Sequence, residues 1–540
     1  MNRTLHDLVV EFVDSPDIKA WIADIEEAIA AKRGPKRELS VRTLLIAKLY
    51  GMWMHQSGDM RNGAMGLFND LEDDDDFRRL GLANNVSYDM VTDLQRHITD
   101  AMTPAAGTDL TALDSFLQQS IDTFARAAVG DALPDLDRHH LAIDTTLIQA
   151  HCTSRGCKEP EDGAKDRQLT LVADEYRELE FDEVADRHAD AVADVVPSKV
   201  TPKKAKPKPP KATRGSCDPH AGHRAYTKPD GTLKKKILGY GCVALVESTP
   251  NSPEFVLRAA LIPAHRNNVP VGSDLVMGLT ELYPSIDPLA TTATADRAFN
   301  NQWKAFSEPL VDVGFQFTYD LMATDRFIAD PKHPDRKPAT YRGFLQICGR
   351  LFAPHMPPRL WEITVPGPLA SNDEWDAYWA QEDERAAYEL RLNGKPTGGT
   401  ARLRSGTHDK VRAWRCKHEA MWPKTKDWDP ALPLCLGDHE DDEACCLQNL
   451  TVHFADMPRV WQWPAYGTRE WKALYNMRSA VERLFSSLKY NCGWSPGRAK
   501  VRGIGAVGFS LMLALAVHNL RLRYPEARHA ANRPRIPKAA

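Results

Sequence analysis

The chain has 540 residues, of which 43% are hydrophobic and 26% are charged. This composition excludes collagen-like, wholly disordered and multi-span membrane proteins, and the length allows several globular domains. Ten cysteines do not make a disulfide scaffold, and residues 1–30 lack a secretory-signal pattern, so we expect a reduced, cytoplasmic protein. The formal net charge of −4 does not, as a total, point to nucleic acid as a partner.

Residues 1–130 predict a helical N-terminal domain. Ser40 is placed to cap one helix with apolar residues at helical spacing, and Ser87 is placed to cap another. The domain could read DNA as a helix-turn-helix does, or it could be a structural or dimerising bundle. The pattern favours neither alternative.

The periodicity changes at His140, where we expect an α/β core to begin, with its first part spanning residues 135–320. The segment 141–148 is short, apolar and β-branched, which predicts a buried strand, and Asp144 is the one carboxylate inside it.

An insertion at residues 158–214 interrupts this core. Its first part is acidic, and its end, Lys199 to Arg214, holds seven basic residues, four prolines and no acid. Such a segment cannot bury a core, so we expect an extended, mobile stretch. A phosphate-binding arm and a solvated linker are equally good interpretations.

The rest of the first part predicts a strand hairpin followed by alternating helix and strand, which is typical of a mixed α/β sheet. Acidic Asp296 ends one of these β-rich runs. The predicted strands are 236–247, 255–262, 291–296 and 315–319, and the predicted helices are 273–282 and 301–313.

Residues 322–450 are rich in Pro, Gly and Trp, and we expect an inserted, β-rich subdomain there. Five potential zinc ligands fall within it, but no Cys-x2-Cys pair does, which favours buried free cysteines over a metal site. These residues are Cys416, His418, Cys435, Cys445 and Cys446.

Residues 451–525 are expected to complete the core with an amphipathic helix from Thr468 to Tyr490 and an apolar helix, 508–522; residues 526–540 are a basic tail. The uncharged stretch 503–520 is almost long enough for a membrane span, but its glycines and polar residues favour a buried core helix. Its Gly-x-Gly-x-x-Gly pattern lacks the preceding hydrophobic strand of a dinucleotide site, so we expect none.

One stripe on the amphipathic helix carries polar chemistry. Tyr475, Arg478, Glu482 and Lys489 fall within an arc of roughly 60° at about 100° per residue. An ordinary salt-bridged helix face gives such a stripe fairly often, so the stripe alone does not establish a site.

The stripe matches a family signature. It resembles the Y-x2-R-x3-E-x6-K signature of DDE transposases from bacterial insertion sequences. In that family the first Asp lies in the first strand of an RNase H-like fold, as Asp144 does in LAIDTTLIQAH. The second ends a later strand, as Asp296 does in TADRAF. The resemblance covers roughly residues 135–320 and 450–525.

The resemblance implies an α/β, RNase H-like catalytic core that performs metal-dependent cleavage at transposon ends and transfers the 3′-hydroxyl into target DNA. Two Mg²⁺ ions, with Mn²⁺ as a substitute, suit this chemistry because they neutralise phosphate and activate an oxygen nucleophile. The implied metal ligands are Asp144, Asp296 and Glu482. The implied DNA-binding residues are Tyr475, Arg478 and Lys489.

The implied partners are double-stranded DNA, as terminal inverted repeats and as target, and a second copy of the chain in a synaptic homodimer. We expect no membrane partner, and a position at the nucleoid when DNA is bound. Asp218, before the Gly239-Tyr-Gly241 segment that also resembles the family, and Asp320 are expected to have supporting rather than metal-binding roles.

Two alternatives are a catalytically silent, transposase-derived DNA-binding protein and a metal-dependent nuclease without strand transfer. The presence of all three carboxylates favours an enzyme. The charge distribution also fits DNA, because residues 459–540 hold fifteen Lys and Arg but three acids, a charge of +12 that leaves −16 for the rest.

Overall fold

The structure is a computed structural model. It describes residues 3–30, 39–56, 65–70, 86–105, 108–150, 218, 220–227, 233–300, 302–321, 338, 340–367, 370–394, 400–405, 449–453, 456, 462, 464–494 and 501–525. The insertion 158–214, the five potential zinc ligands and the basic tail lie outside the described residues.

A six-stranded mixed sheet forms the centre of the fold, as the sequence predicts. Its strands are β1 (His139–Gln149), β2 (Gly222–Thr227), β3 (Leu233–Glu247), β4 (Val256–Pro263), β5 (Thr291–Ala295) and β6 (Gln316–Tyr319). Their order is β2-β3-β1-β5-β6, and β4 also pairs with β3. Strand β3 runs antiparallel to β1, β2 and β4, whereas β5 is parallel to both β1 and β6.

Six described helices precede the sheet: α1 (Arg3–Val13), α2 (Pro16–Ala30), α3 (Val41–His55), α4 (Met65–Asp70), α5 (Tyr88–Met102) and α6 (Phe116–Val129). The predicted caps are confirmed, because the Ser40 hydroxyl accepts from the Thr43 N–H and the Ser87 hydroxyl from the Met90 N–H.

Four short helices follow within the sheet region: α7 (Asn268–Met277), α8 (Leu279–Leu282), α9 (Arg297–Asn300) and α10 (Ser307–Val313). The predicted helix 273–282 begins earlier, because the Asn267 side chain caps α7 by accepting from the Val269 N–H. The predicted helix 301–313 is wrong in its first half, where a separate 3₁₀ turn covers Trp303–Ala305.

The two faces of the sheet contribute to different cores, as the alternation of side chains along a strand requires. Cys242, Ala244 and Val246 of β3 pack with the helices before the sheet and with the C-terminal helices. Val243 and Leu245 pack with α7 and α10 on the other face. The sheet is therefore covered by helices on both sides.

The C-terminal helix α14 (Ile504–Arg523) is a core helix, as predicted. Among the described residues it is the one helix long and apolar enough to cross a membrane. In its apolar 18-residue segment, 89% is buried inside the protein. Asn519 is fully buried on it. Its side-chain amide donates to the Ala125 and Val256 carbonyls, and its oxygen accepts from the Val256 N–H. Helix α14 thus joins α6 to β4.

The helices before the sheet share their hydrophobic core with α14. Helix α3 is almost wholly buried, and the exposed positions of α2 include Asp24, Glu26 and Glu27. Helix α5 likewise exposes three acids and one arginine. Faces of this charge repel phosphate.

The inserted region contains two small antiparallel sheets and one helix. The sheets are β7 (Thr340–Tyr341), β8 (Phe344–Ile347) and β9 (Arg350–Phe352), and β10 (Leu390–Leu392), β11 (Thr400–Ser405) and β12 (Leu450–His453). The sequence interpretation missed helix α11 (Asn372–Ala386), although Ser371 and Glu374 form a capping box at its start. This region shares a core with Phe317 and Tyr319 of β6.

The predicted helix from Thr468 to Tyr490 is wrong as a single element. It is two helices, α12 (Arg469–Asn476) and α13 (Ser479–Asn491). The N–H groups of Met477, Arg478 and Ala480 bond to carbonyls three residues back, so the turn between the helices is tighter than an α-helix.

A buried contact between a histidine and a glutamate closes the start of β1. His139 Nδ1 and Glu247 Oε2 lie 2.7 Å apart, with side chains 1% and 0% exposed, and Glu247 also accepts from the Thr249 N–H. We expect Glu247→Ala to destabilise the protein by about 3–5 kcal/mol, because it leaves buried partners unpaired. Urea denaturation measures this. Glu26→Ala, at an exposed position of α2, is the control and should stay within about 0.5 kcal/mol of wild type.

Candidate active site

The two predicted aspartates meet because of strand register. In the parallel pairing of β1 and β5, Ile143 lies opposite Ala295, so Asp144 and Asp296 are the next residues on neighbouring strands. Ala142 packs on the sheet face that α13 and α14 cover. Since side chains alternate, Asp144 lies on that same face, and Asp296 follows from β5 on it too.

Arg478 joins the sheet to the helix. Its guanidinium donates to Asp144 Oδ2 at 2.8 Å and to Glu482 Oε1 at 2.7 Å. The Arg478 and Asp144 side chains are 20% and 23% exposed, whereas Glu482 is 59% exposed. Residues 334 positions apart in the chain are thereby brought into direct contact.

Burial and neighbouring charge act on Asp144 together. Burial raises the pKa of its carboxyl, and the charges of Asp296 and Glu482 raise it further, while the Thr145 N–H bond and the Arg478 charge lower it. The balance leaves this pKa above its ordinary value. Asp144 therefore lies in an electrostatic environment that disfavours its ionisation and that additional positive charge would stabilise.

Tyr475 is positioned by an aromatic stack. Its ring lies nearly parallel to the ring of Trp471, with ring centres 5.0 Å apart. The guanidinium carbon of Arg478 lies 5.8 Å from the centre of the Tyr475 ring. The Trp471 indole N–H donates to the carbonyl of Tyr319, the last residue of β6, at 3.2 Å. Burial raises the pKa of Tyr475 to about 12, so its phenol is a neutral donor near pH 7.

The sequence interpretation did not single out Trp471. Its signal was its position four residues before Tyr475, the spacing at which two side chains meet on a helix. Asp320 follows Tyr319, and its charge contributes to the raised pKa of Tyr475.

The helix that carries Glu482 is fastened at two points to the turn between β3 and β4. The Arg483 guanidinium donates to both Glu254 carboxylate oxygens, and its Nε lies 2.8 and 2.9 Å from them. His518 of α14 contacts the Ser487 hydroxyl and the Glu254 carbonyl. These contacts fix α13 against the sheet and hold Glu482 near Asp144.

Lys489 lies one to two turns beyond Glu482 on α13. It is exposed, and its ammonium lies over the ring of exposed Tyr490, 4.8 Å from the ring centre. Tyr475, Arg478, Asp144, Asp296 and Glu482 thus form one connected group, whereas the contact described for Lys489 is with its neighbour.

Asp218 has the structural role that the sequence predicts. It accepts from the Tyr240 hydroxyl at 2.6 Å and from the Gly503 N–H at 3.1 Å. The glycine pattern at 503–508 also serves packing, because a Cβ on Gly505 would lie 2.2 Å from the Thr99 carbonyl oxygen. Residues 501 and 502 are not in a strand, which agrees with the absence of the dinucleotide pattern's first element.

The donor chemistry of the site suits a hard divalent cation, because its acids offer only carboxylate oxygens. Among the described residues no three His, Cys, Asp or Glu side chains are already arranged to hold a metal ion. The Arg478 guanidinium instead stands between two of the carboxylates, in the position of a cation. The donor types therefore suit a divalent cation, whereas the described side chains are arranged around the guanidinium.

Comparisons with known proteins add no identity. No protein-family model matches the chain, and no curated protein matches it.

The raised pKa of Asp144 predicts a pH-dependent effect on stability. A carboxyl whose pKa is higher in the folded state destabilises the fold as pH rises past the ordinary value of 3.8, and fully so above the folded pKa. We therefore expect Asp144→Asn to be more stable than wild type at pH 7 in EDTA, with the gain disappearing toward pH 3.8.

Urea denaturation at several pH values measures this difference. Asp24→Asn, at an exposed position of α2, is the control and should change stability little at any of them. A gain for Asp144→Asn that grows as pH falls would contradict the assignment of the shift to burial.

Proposed function

We propose that this chain is a DDE transposase with an RNase H-like catalytic core. It cleaves DNA at the ends of an insertion sequence and joins the freed 3′-hydroxyl to target DNA. The observation that carries the proposal is the contact of Asp144 with Glu482 through Arg478, beside Asp296 on the neighbouring parallel strand.

The sheet supports the same proposal. Asp144 lies in the middle of the central strand, which pairs antiparallel with β3 and parallel with β5. Asp296 follows directly from the carboxyl end of β5, and Glu482 comes from a helix after the inserted region. An RNase H-like core places its acids in this order along the chain.

The acids are assigned to metal binding. Two Mg²⁺ ions, or Mn²⁺ as a substitute, would supply neutralisation of the phosphate and activation of the attacking oxygen. Asp144, Asp296 and Glu482 would together hold the ions. The fastening of α13 to the β3–β4 turn keeps Glu482 in reach of Asp144, which limits reorganisation when DNA binds.

The other stripe residues are assigned to the DNA. The Arg478 guanidinium suits a two-point contact with phosphate, whereas the exposed Lys489 ammonium acts as a point charge. Burial keeps the Tyr475 phenol neutral, and the stack on Trp471 fixes its ring. Tyr475 therefore offers an O–H donor beside the three acids. The charge of +12 over residues 459–540 favours binding to DNA.

The first test is cleavage. Asp144→Asn, Asp296→Asn and Glu482→Gln should each lower Mg²⁺-dependent cutting by more than about 100-fold, since even outer-shell changes at metal sites cost 10–100-fold. The substrate is linear DNA carrying the inverted repeats that flank the gene. Glu470→Gln, at an exposed position of α12, should cut as wild type does.

Retained cutting by one of the three variants removes that residue from the assignment. If the wild-type chain shows no cutting activity, it is the catalytically silent DNA-binding protein instead. Pre-cut ends then separate transposase from nuclease, because joining of their 3′-hydroxyls to a target plasmid is expected only of a transposase.

The second test is binding to the ends without metal. Lys489→Gln should weaken binding and lower the slope of log affinity against log salt by about 1, as loss of one phosphate contact does. Electrophoretic mobility shifts over a salt series measure both. Lys19→Gln, on the acidic helix α2, is the matched control and should leave the slope unchanged. Equal slopes for wild type and Lys489→Gln would make Lys489 a structural residue.

A further inference from the structure

Arg478 is already engaged by carboxylates in the arrangement described. Two of its terminal nitrogens each donate one hydrogen bond to a carboxylate, one on Asp144 and one on Glu482. A phosphate at the N–H groups that face the carboxylates would have to displace these bonds, and at the other N–H groups it would be repelled by the two neighbouring carboxylates. The residue assigned to the DNA and two residues assigned to the metal therefore depend on one guanidinium.

The contact also stabilises the neighbouring carboxylates electrostatically in the free protein. The negative charges of Asp296 and Glu482 act on the Asp144 carboxyl, and Arg478 is the cation in direct contact with Asp144 and Glu482. Like charges brought together without a cation destabilise the fold. The guanidinium relieves this repulsion when no metal is bound.

We propose that Arg478 is a resident cation that a divalent metal replaces. In the free protein it holds Asp144 and Glu482 near each other; when metal enters between the carboxylates, the guanidinium is released and becomes available to a DNA phosphate. This proposal rests on the proposed function, because it takes the same carboxylates as the metal ligands.

The exchange couples the two ligands of the site. A phosphate that binds Arg478 withdraws the cation that competes with metal, so DNA raises the affinity for metal. By reciprocity, metal raises the affinity for DNA through the same contact. Arg478 would thus oppose metal binding in the free protein and support DNA binding in the complex.

Replacement of Arg478 should consequently have opposite effects on the two ligands. Arg478→Gln should bind Mn²⁺ in the absence of DNA about tenfold more tightly than wild type, because removal of a charge-assisted contact of this kind is worth about a factor of ten. Free Mn²⁺ measured by electron paramagnetic resonance in a titration of the full chain gives the affinity. The same variant should bind the inverted-repeat DNA more weakly.

Thermal unfolding gives a second measurement. In EDTA, Arg478→Gln should melt below wild type, because two carboxylates lose their cation, and Mn²⁺ should raise its melting temperature by more than it raises that of wild type. Arg478→Lys keeps the charge and should show a smaller gain in Mn²⁺ affinity than Arg478→Gln. Lys19→Gln, which removes a positive charge from an exposed position of α2, should bind Mn²⁺ as wild type does.

Unchanged or weaker Mn²⁺ binding by a folded Arg478→Gln overturns the exchange. That outcome differs from failure of the proposed function, which Asp144→Asn tests: if this variant binds Mn²⁺ as tightly as wild type, the metal site itself is wrongly assigned. If Asp144→Asn loses Mn²⁺ while Arg478→Gln gains no affinity, the metal site stands and the resident cation does not.

Discussion

The burial of α14 is the constraint on which the rest of the fold depends. A helix that is apolar on all sides must be covered on all sides, and here α6 and the earlier helices cover one side while the sheet and α13 cover the other. Asn519 fixes the arrangement, because its one amide satisfies backbone groups of both α6 and β4. Helix α13 packs against α14 and against strands β1 and β3, so this packing also sets the position of Glu482.

The candidate site adds an electrostatic problem to this packing. A partly buried group of carboxylates is unfavourable unless a positive charge accompanies it, and Arg478 supplies that charge from the tight turn between α12 and α13. Around it, the Trp471 stack and the Arg483 contact with Glu254 fix the two helices independently. Because these contacts hold both helices, the guanidinium is the group that changes partners in the exchange we propose.

Local sequence was sufficient for the strands that carry Asp144 and Asp296, because both are short, β-branched runs with a single carboxylate. It was insufficient for their parallel register, which depends on pairing between residues about 150 positions apart. The break before Ser479 also had no local signal, since neither Gly nor Pro occurs there. Helix α11 was missed because its apolar residues recur only weakly at helical spacing, although the capping box at its start is clear. The shared core of α14 and the first helices is likewise a long-range property.

That shared core has a consequence for synthesis of the chain. Helices α1 to α6 leave the ribosome first, but the apolar surface that α14 covers stays open until residues 504–523 have also emerged. Nascent chains of this kind depend on long-range contacts and fold slowly. Until they have folded, they expose hydrophobic surface that is prone to aggregation. Since Arg478 and Glu482 are also late residues, a partly synthesised molecule contains both aspartates before it contains the guanidinium that Asp144 contacts.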